Sequence, residues 1–197
     1  IFRALAGENR ISYCRISKNY VTLKAMSLYS FYRISKPSAD NVPGSQVQDT
    51  YKSLRNRTFW GATVAYSLYY VCRMSLSVVK QPLIDEKVLS EGELGIIGSA
   101  LLFVYAVGKF LNGFIADYCN IRRFMATGLF ISAIVNLLLG VLGWFQSMIP
   151  SVIMFLGFVV LWGINGWMQS MGSAPGVISL SRWFPQSKRG SYYSLFS

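Results

Sequence analysis

Three apolar stretches of this chain each carry a stripe of polar side chains, and two of the stripes hold a cation. At 58–79, TFWGATVAYSLYYVCRMSLSVV, the residues Tyr66, Tyr70, Arg73 and Ser77 recur at i, i+4, i+7 and i+11, so a helix would put them on one face, with Tyr69 beside it. At 94–116, Tyr105, Lys109 and Asn112 repeat the pattern at i, i+4 and i+7. Further on, Asn165, Gln169 and Ser173 form a third stripe. Two cations, phenolic hydroxyls and amides, with no carboxylate in the same stripes, describe an anion site. The planar fork of arginine suits phosphate or carboxylate oxygens bidentately, and lysine adds a point charge. An ionisable residue inside an apolar run is costly, which makes Arg73 a functional candidate by default.

A plainer arrangement competes with this one. Arg73 lies about 9 Å from one end of its run, at a rise of about 1.5 Å per residue, and Lys109 lies similarly close to the other end of its own. Each could snorkel to its nearer interface. The backbone depths of the two differ by about 12 Å, so a shared ligand requires long side chains or tilted helices. Tyrosine is common at membrane interfaces, so the individual tyrosines carry less weight than their coincidence with both cations.

The elements that must position these residues follow from composition. The chain is 197 residues long and 53% hydrophobic, with several apolar runs of bilayer length, which indicates an all-α polytopic membrane protein embedded in a lipid bilayer. Spans are expected at about 58–79, 94–116, 124–145 and 152–180, with a fifth beginning at 191–197. Pro82 and mixed charges mark 80–93 as a loop, and Pro175 is expected to kink the fourth span. The net charge of +11 does not point to nucleic acid: ten of the 19 basic residues lie in 1–57, and most of the others sit in short loops. By the positive-inside rule the basic segment 1–57, the turn at 117–123 and the loop at 182–190 face the cytoplasm. Cys14, Cys72 and Cys119 suggest neither a disulfide framework nor a metal cluster. Without histidine, and without paired carboxylates in an apolar run, no hydrolytic site, cofactor or metal is indicated, and no enzyme activity is expected.

The segment 1–57 is expected to be a basic tail with a linker at 37–48. The aromatic run 27–34 is either an interfacial helix or part of that tail. Met26 is a candidate start, in which case 1–25 would not be native protein. Because the chain begins at Ile1 and stops within an apolar run, it is expected to be the N-terminal piece of a longer protein.

A second constellation joins spans two and three: Gly113, Asp117, Arg122 and Arg123 in GFIADYCNIRRF. The glycine permits close helix approach, and Asp117 with the arginine pair can form a charge cluster at the helix ends. This resembles the cytoplasmic loop motif of the major facilitator superfamily, with Tyr118 where a basic residue is common and Asn120 where a turn glycine is common. The motif implies conformational gating. With YSLYYVCRMS, VYAVGKF, GWMQSMGSAPG and RWFPQSKRG, the chain is similar over 58–197 to one branch of that superfamily, the organophosphate:inorganic phosphate antiporters. That resemblance implies the N-terminal half of a twelve-helix fold, truncated in helix 5. It also implies that a phosphorylated small molecule such as glycerol-3-phosphate or a sugar phosphate is exchanged for inorganic phosphate in a bacterial cytoplasmic membrane. Arg73 and Lys109 would then bind the substrate phosphate, with Tyr105 and Gln169 lining the cavity and Tyr66, Tyr70 and Asn165 on the adjoining stripes. The opposing basic residue would come from the C-terminal half. Met74 stands where relatives often carry a second basic residue. Two other readings remain, a sugar-phosphate sensor of the same fold and, more distantly, a membrane-embedded enzyme.

Overall fold

The computed structural model describes residues 30–34 and 42–197, so the expectations for residues 1–29, and for the part of the linker at 37–41, lie outside it. Residues 30–32 are helical, and the carbonyl of Tyr32 accepts a hydrogen bond from the backbone N–H of Asn120 at 2.8 Å. A 3-10 turn, Gly44–Gln46, leads into α1, Val47–Asp85. Four more helices follow: α2, Glu91–Tyr118; α3, Ile121–Trp144; α4, Ser151–Trp183; and α5, Gln186–Phe196. No strand occurs among the described residues.

Three of these helices, α2, α3 and α4, are long and apolar enough to cross a membrane. Large apolar side chains such as Phe103, Phe110, Phe130 and Leu137 point outward from them, as a lipid-facing surface requires. In α1 the apolar run is diluted by Arg73 and by Tyr66, Tyr69 and Tyr70, and it is not among the three. The helix is also much longer than the expected 58–79. At its far end it runs through Lys80 and Pro82 to Asp85, so the helix continues past the proline, which forgoes one backbone hydrogen bond to the Val78 carbonyl in the turn before it.

Helix ends follow local chemistry. Ser90 caps α2 in a reciprocal box with Glu93. Asn120, at the position where a turn glycine is common, does not adopt left-handed geometry. Instead its φ is −70° and its side-chain oxygen accepts from the N–H of Arg123, so it works as the N-cap of α3.

Helix α4 is the central element, with its most extensive packing against α2 and then α3. Glycines make this possible. A Cβ built on Gly166 would lie 2.5 Å from the Leu101 carbonyl oxygen of α2. One on Gly172 would lie 2.6 Å from the Tyr69 ring, and one on Gly128 would meet the Tyr69 hydroxyl. Tyr69, 1% exposed, is thus wedged between α1, α3 and α4, and its hydroxyl donates to the Met125 carbonyl at 2.7 Å. At one end of the bundle Leu94, Ile97, Val135, Phe158 and Trp162 form the core. At the other, Phe59, Leu180, Phe184 and Phe196 do. Gly113 does not make the expected close approach, since nothing in the described residues lies within 4 Å of a Cβ built there.

A buried polar ladder ties α1, α3 and α4 together. Ser75 donates to Asn136, whose amide donates to the Ser132 carbonyl at 2.8 Å. The Ser132 hydroxyl donates to Asn165 Oδ1 at 2.5 Å and accepts from Gln169 at 3.1 Å. Gln169 also donates to the Tyr69 carbonyl at 3.0 Å, and Asn165 to the Cys72 carbonyl at 3.5 Å. Interhelical hydrogen bonds in bilayers contribute about 0.6 kcal/mol on average and up to about 2 kcal/mol. Because Ser132 joins two amides, Ser132→Ala is expected to cost about 1–2 kcal/mol in thermal unfolding of the detergent-solubilised protein. Asn136→Ala, which also removes two hydrogen bonds of the ladder, is expected to cost a similar amount. A Ser132→Ala melting curve superimposable on wild type would remove the ladder from the account of stability.

Candidate functional site

The polar stripes of α1 and α2 are brought together across α4. Helices α1 and α2 share little direct backbone packing and meet chiefly through long side chains. The Arg73 guanidinium lies 4.5 Å from the Tyr105 ring centroid and 5.4 Å from that of Tyr70. Lys109 Nζ lies 5.8 Å from the same Tyr105 ring. Both cations therefore address one aromatic ring, at distances where its quadrupole attracts them. Rather than pointing away from one another, both side chains reach the same ring. Tyr105 is held in turn, its hydroxyl 3.2 Å from Ser173 Oγ on α4. Tyr66 packs edge-on against Tyr70, centroids 5.2 Å apart, and stacks on Phe196 at 4.6 Å.

Electrostatically the cluster lacks an anion. Neither Arg73 nor Lys109 pairs with a carboxylate among the described residues, and the Arg73 Nε is buried without a hydrogen-bond partner. A buried donor left unmade costs about 1–3 kcal/mol, more when charged. A ligand presenting acceptor oxygens between Arg73 and Lys109 would relieve that cost. Lys109 is exposed and Arg73 is half-buried, so the cluster is reachable from outside this bundle.

The third stripe divides. Ser173 joins Tyr105, but Asn165 and Gln169 are buried in the ladder, and no hydrogen bond links either to Arg73, Tyr105 or Lys109. Their spacing identified one helical face without identifying which neighbour each side chain meets. Asn112 likewise leaves the α2 stripe and donates to Ser170 Oγ at 2.6 Å. A cavity of about 320 Å³ between α1, α3 and α4, lined by Ser75, Asn136, Phe158 and Trp162 among others, contains neither cation.

At the loop motif, Asp117 pairs with Arg182 at the end of α4, Oδ1 to Nη2 3.3 Å. The same guanidinium reaches the Asp117 carbonyl at 3.4 Å. The sequence reading used Arg182 as a topology signal and within the motif RWFPQSKRG, not as a partner of Asp117. Arg122 and Arg123 are exposed on the first turn of α3. The side chains of Arg182 and Asp117 are 46% and 56% exposed, so solvent screens the pair. A double-mutant cycle on Asp117→Asn and Arg182→Gln is expected to give a coupling of about 1 kcal/mol or less that shrinks in high salt. A coupling of several kcal/mol, insensitive to salt, would contradict this.

Comparison with known proteins adds the family. The model of the Major Facilitator Superfamily matches residues 62–197. A glycerol-3-phosphate transporter of Bacillus subtilis (strain 168) is 35% identical over 161 residues, covering 82% of this chain and 35% of that protein. A probable hexose phosphate transport protein of Chlamydia trachomatis is 37% identical over 151 residues, 77% of this chain and 31% of its own length. The membrane sensor protein UhpC of Escherichia coli (strain K12) is 27% identical over 152 residues, 77% and 32% respectively. The chain thus spans about a third of the length of these relatives.

Proposed function

Because this chain belongs to the major facilitator superfamily, we propose that the full-length protein carries an organic phosphate ester across a membrane in exchange for inorganic phosphate. The observation that carries this reading is the Arg73–Tyr105–Lys109 cluster, two cations about one ring with a buried donor unused and no carboxylate paired. The names of the relatives, transporters of glycerol-3-phosphate and hexose phosphate, agree with its chemistry.

In this reading α1 is the first span, with its N-terminus in the cytoplasm. The substrate's phosphate dianion enters between Arg73 and Lys109, with Tyr70, Tyr66 and Tyr105 forming the walls. An opposing basic residue comes from the part of the protein beyond this chain. The two halves rock about the site in alternating access. Exchange follows from charge: an empty site with two uncompensated cations is costly to enclose in a low-dielectric interior, so reorientation is fast only when an anion occupies it. Asn165 and Gln169 act as braces behind α1. The Asp117–Arg182 pair, with Gly113, Arg122 and Arg123 beside it, forms the cytoplasmic gate.

The test is counterflow with the full-length protein in proteoliposomes. Uptake of labelled glycerol-3-phosphate or glucose-6-phosphate is expected to require inorganic phosphate inside the vesicles. Uptake indifferent to internal phosphate would overturn exchange. The similarity to a membrane sensor supports a second reading, in which the ligand binds at the same cluster without net flux. Binding with no measurable counterflow would select it.

A further inference from the structure

Among the described residues, two buried side-chain atoms lack a hydrogen-bond partner, and both are arginine Nε groups of α1: Arg73 and Arg55. They lie 18 residues apart. At about 3.6 residues per turn and about 1.5 Å per residue, that is five turns and about 27 Å along one face of the helix. The surroundings of Arg55 repeat those of Arg73. Its guanidinium lies 5.6 Å from the Tyr51 ring centroid and 5.3 Å from that of Phe184, so two aromatic faces flank the cation. Both rings are fixed. Tyr51 donates to the Trp183 carbonyl at 2.6 Å and packs on the Trp183 ring. Phe184 is 3% exposed, with Phe59 and Tyr192 against it. No carboxylate satisfies Arg55 among the described residues. Asp49, one turn and a half away, is exposed and pairs with Lys52 at 3.9 Å.

We propose that Arg55, with Tyr51 and Phe184, forms a second phosphate-binding site at the α4–α5 end of the bundle. It is separate from the Arg73 cluster and on the same face of α1. A fixed guanidinium with an unused buried N–H and no acid partner is the chemistry that takes a phosphate group, from a free phosphate or phosphate ester or from a phospholipid headgroup. The spacing of about 27 Å prevents one small ligand from bridging both arginines, so Arg55 and Arg73 hold separate anions. The proposal rests on the reading above for the identity of the free ligand.

The test uses the full-length protein in nanodiscs. In phosphatidylcholine discs, inorganic phosphate is titrated against wild type, Arg73→Ala, Arg55→Gln and the double variant. Arg73→Ala is expected to retain a phosphate site, and adding Arg55→Gln to weaken that site by about tenfold or more, the loss expected for one charge-assisted hydrogen bond. Arg55→Lys keeps the charge without the fork and should recover only part of the binding, which separates recognition from misfolding. In discs containing phosphatidylglycerol, a headgroup occupant predicts that wild type retains more of that lipid than Arg55→Gln in native mass spectrometry. Either difference supports the site and names its source. Equal phosphate binding together with equal lipid retention overturns it. Failure of the Arg73 reading is seen separately, as an Arg73→Ala protein that binds and transports like wild type.

Discussion

Arg73→Lys in the full-length protein is expected to lower the initial rate of phosphate-ester uptake into proteoliposomes by about 100-fold or more, and Arg73→Ala to lower it further. The magnitude follows from what the guanidinium offers. Its fork donates two or more charge-assisted hydrogen bonds to one phosphate, each contributing about 1.5–3 kcal/mol. Lysine keeps the charge but neither the planar fork nor the fit against Tyr105, whose ring centroid lies 4.5 Å from the guanidinium. Stability should move the other way. The Arg73 Nε is buried without a partner among the described residues, so replacing it removes an unmade hydrogen bond. Melting of Arg73→Leu in detergent is therefore expected to match or exceed wild type. Added substrate should raise the melting point of wild type only, since a ligand stabilises the form that binds it. Uptake preserved in Arg73→Lys would reject the assignment. A large fall in stability for Arg73→Leu would make Arg73 a structural residue.

The elements that position this cluster were legible because bilayer-length apolar runs are a coarse, redundant signal. The ranges expected at 94–116 and 124–145 differ from α2 and α3 by only a few residues at most ends. Arg73 and Lys109 were legible as candidates for a different reason, because an ionisable group in an apolar run is costly; that both would reach the Tyr105 ring was not read from their spacing. What was not legible depended on neighbours. Helical spacing puts Asn165, Gln169 and Ser173 on one stripe, but whether a side chain meets Ser132 or Tyr105 depends on how α3 and α2 cross α4. The polar pair Ser132 and Asn136, at i and i+4 in an apolar run, was the available sign of such a ladder. Arg55 was obscured by composition, because a basic residue in a basic tail reads as a topology signal until residues 47–57 prove to be the first turns of α1.

The second large effect concerns the α2–α4 contact on which the cluster depends. Gly166→Ala adds one methyl group, yet the nearest atoms to that methyl would be the Leu101 carbonyl oxygen at 2.5 Å, its Cα at 3.1 Å and its carbonyl carbon at 3.2 Å. All three are backbone, so no rotamer change relieves the overlap and α2 itself must shift. Overpacking of this kind costs about 1–3 kcal/mol, against a gain of up to about 1 kcal/mol from replacing glycine by alanine in a helix. Gly166→Ala is therefore expected to lower the melting temperature of the full-length protein, and Gly166→Leu to prevent recovery of folded protein from detergent. Gly113→Ala is the matched control. No described residue lies within 4 Å of a Cβ there, so within this bundle only the helix-propensity gain applies. The functional consequence follows from geometry. Leu101 is one turn from Tyr105, which is tied to Ser173 on α4, so displacing α2 changes the separation of Arg73 and Lys109. Gly166→Ala should accordingly raise the substrate concentration needed for half-maximal uptake even at temperatures where the protein remains folded. A Gly166→Ala protein with wild-type melting and wild-type half-saturation would show that α2 and α4 tolerate a wider spacing, and the cluster would then not depend on this contact.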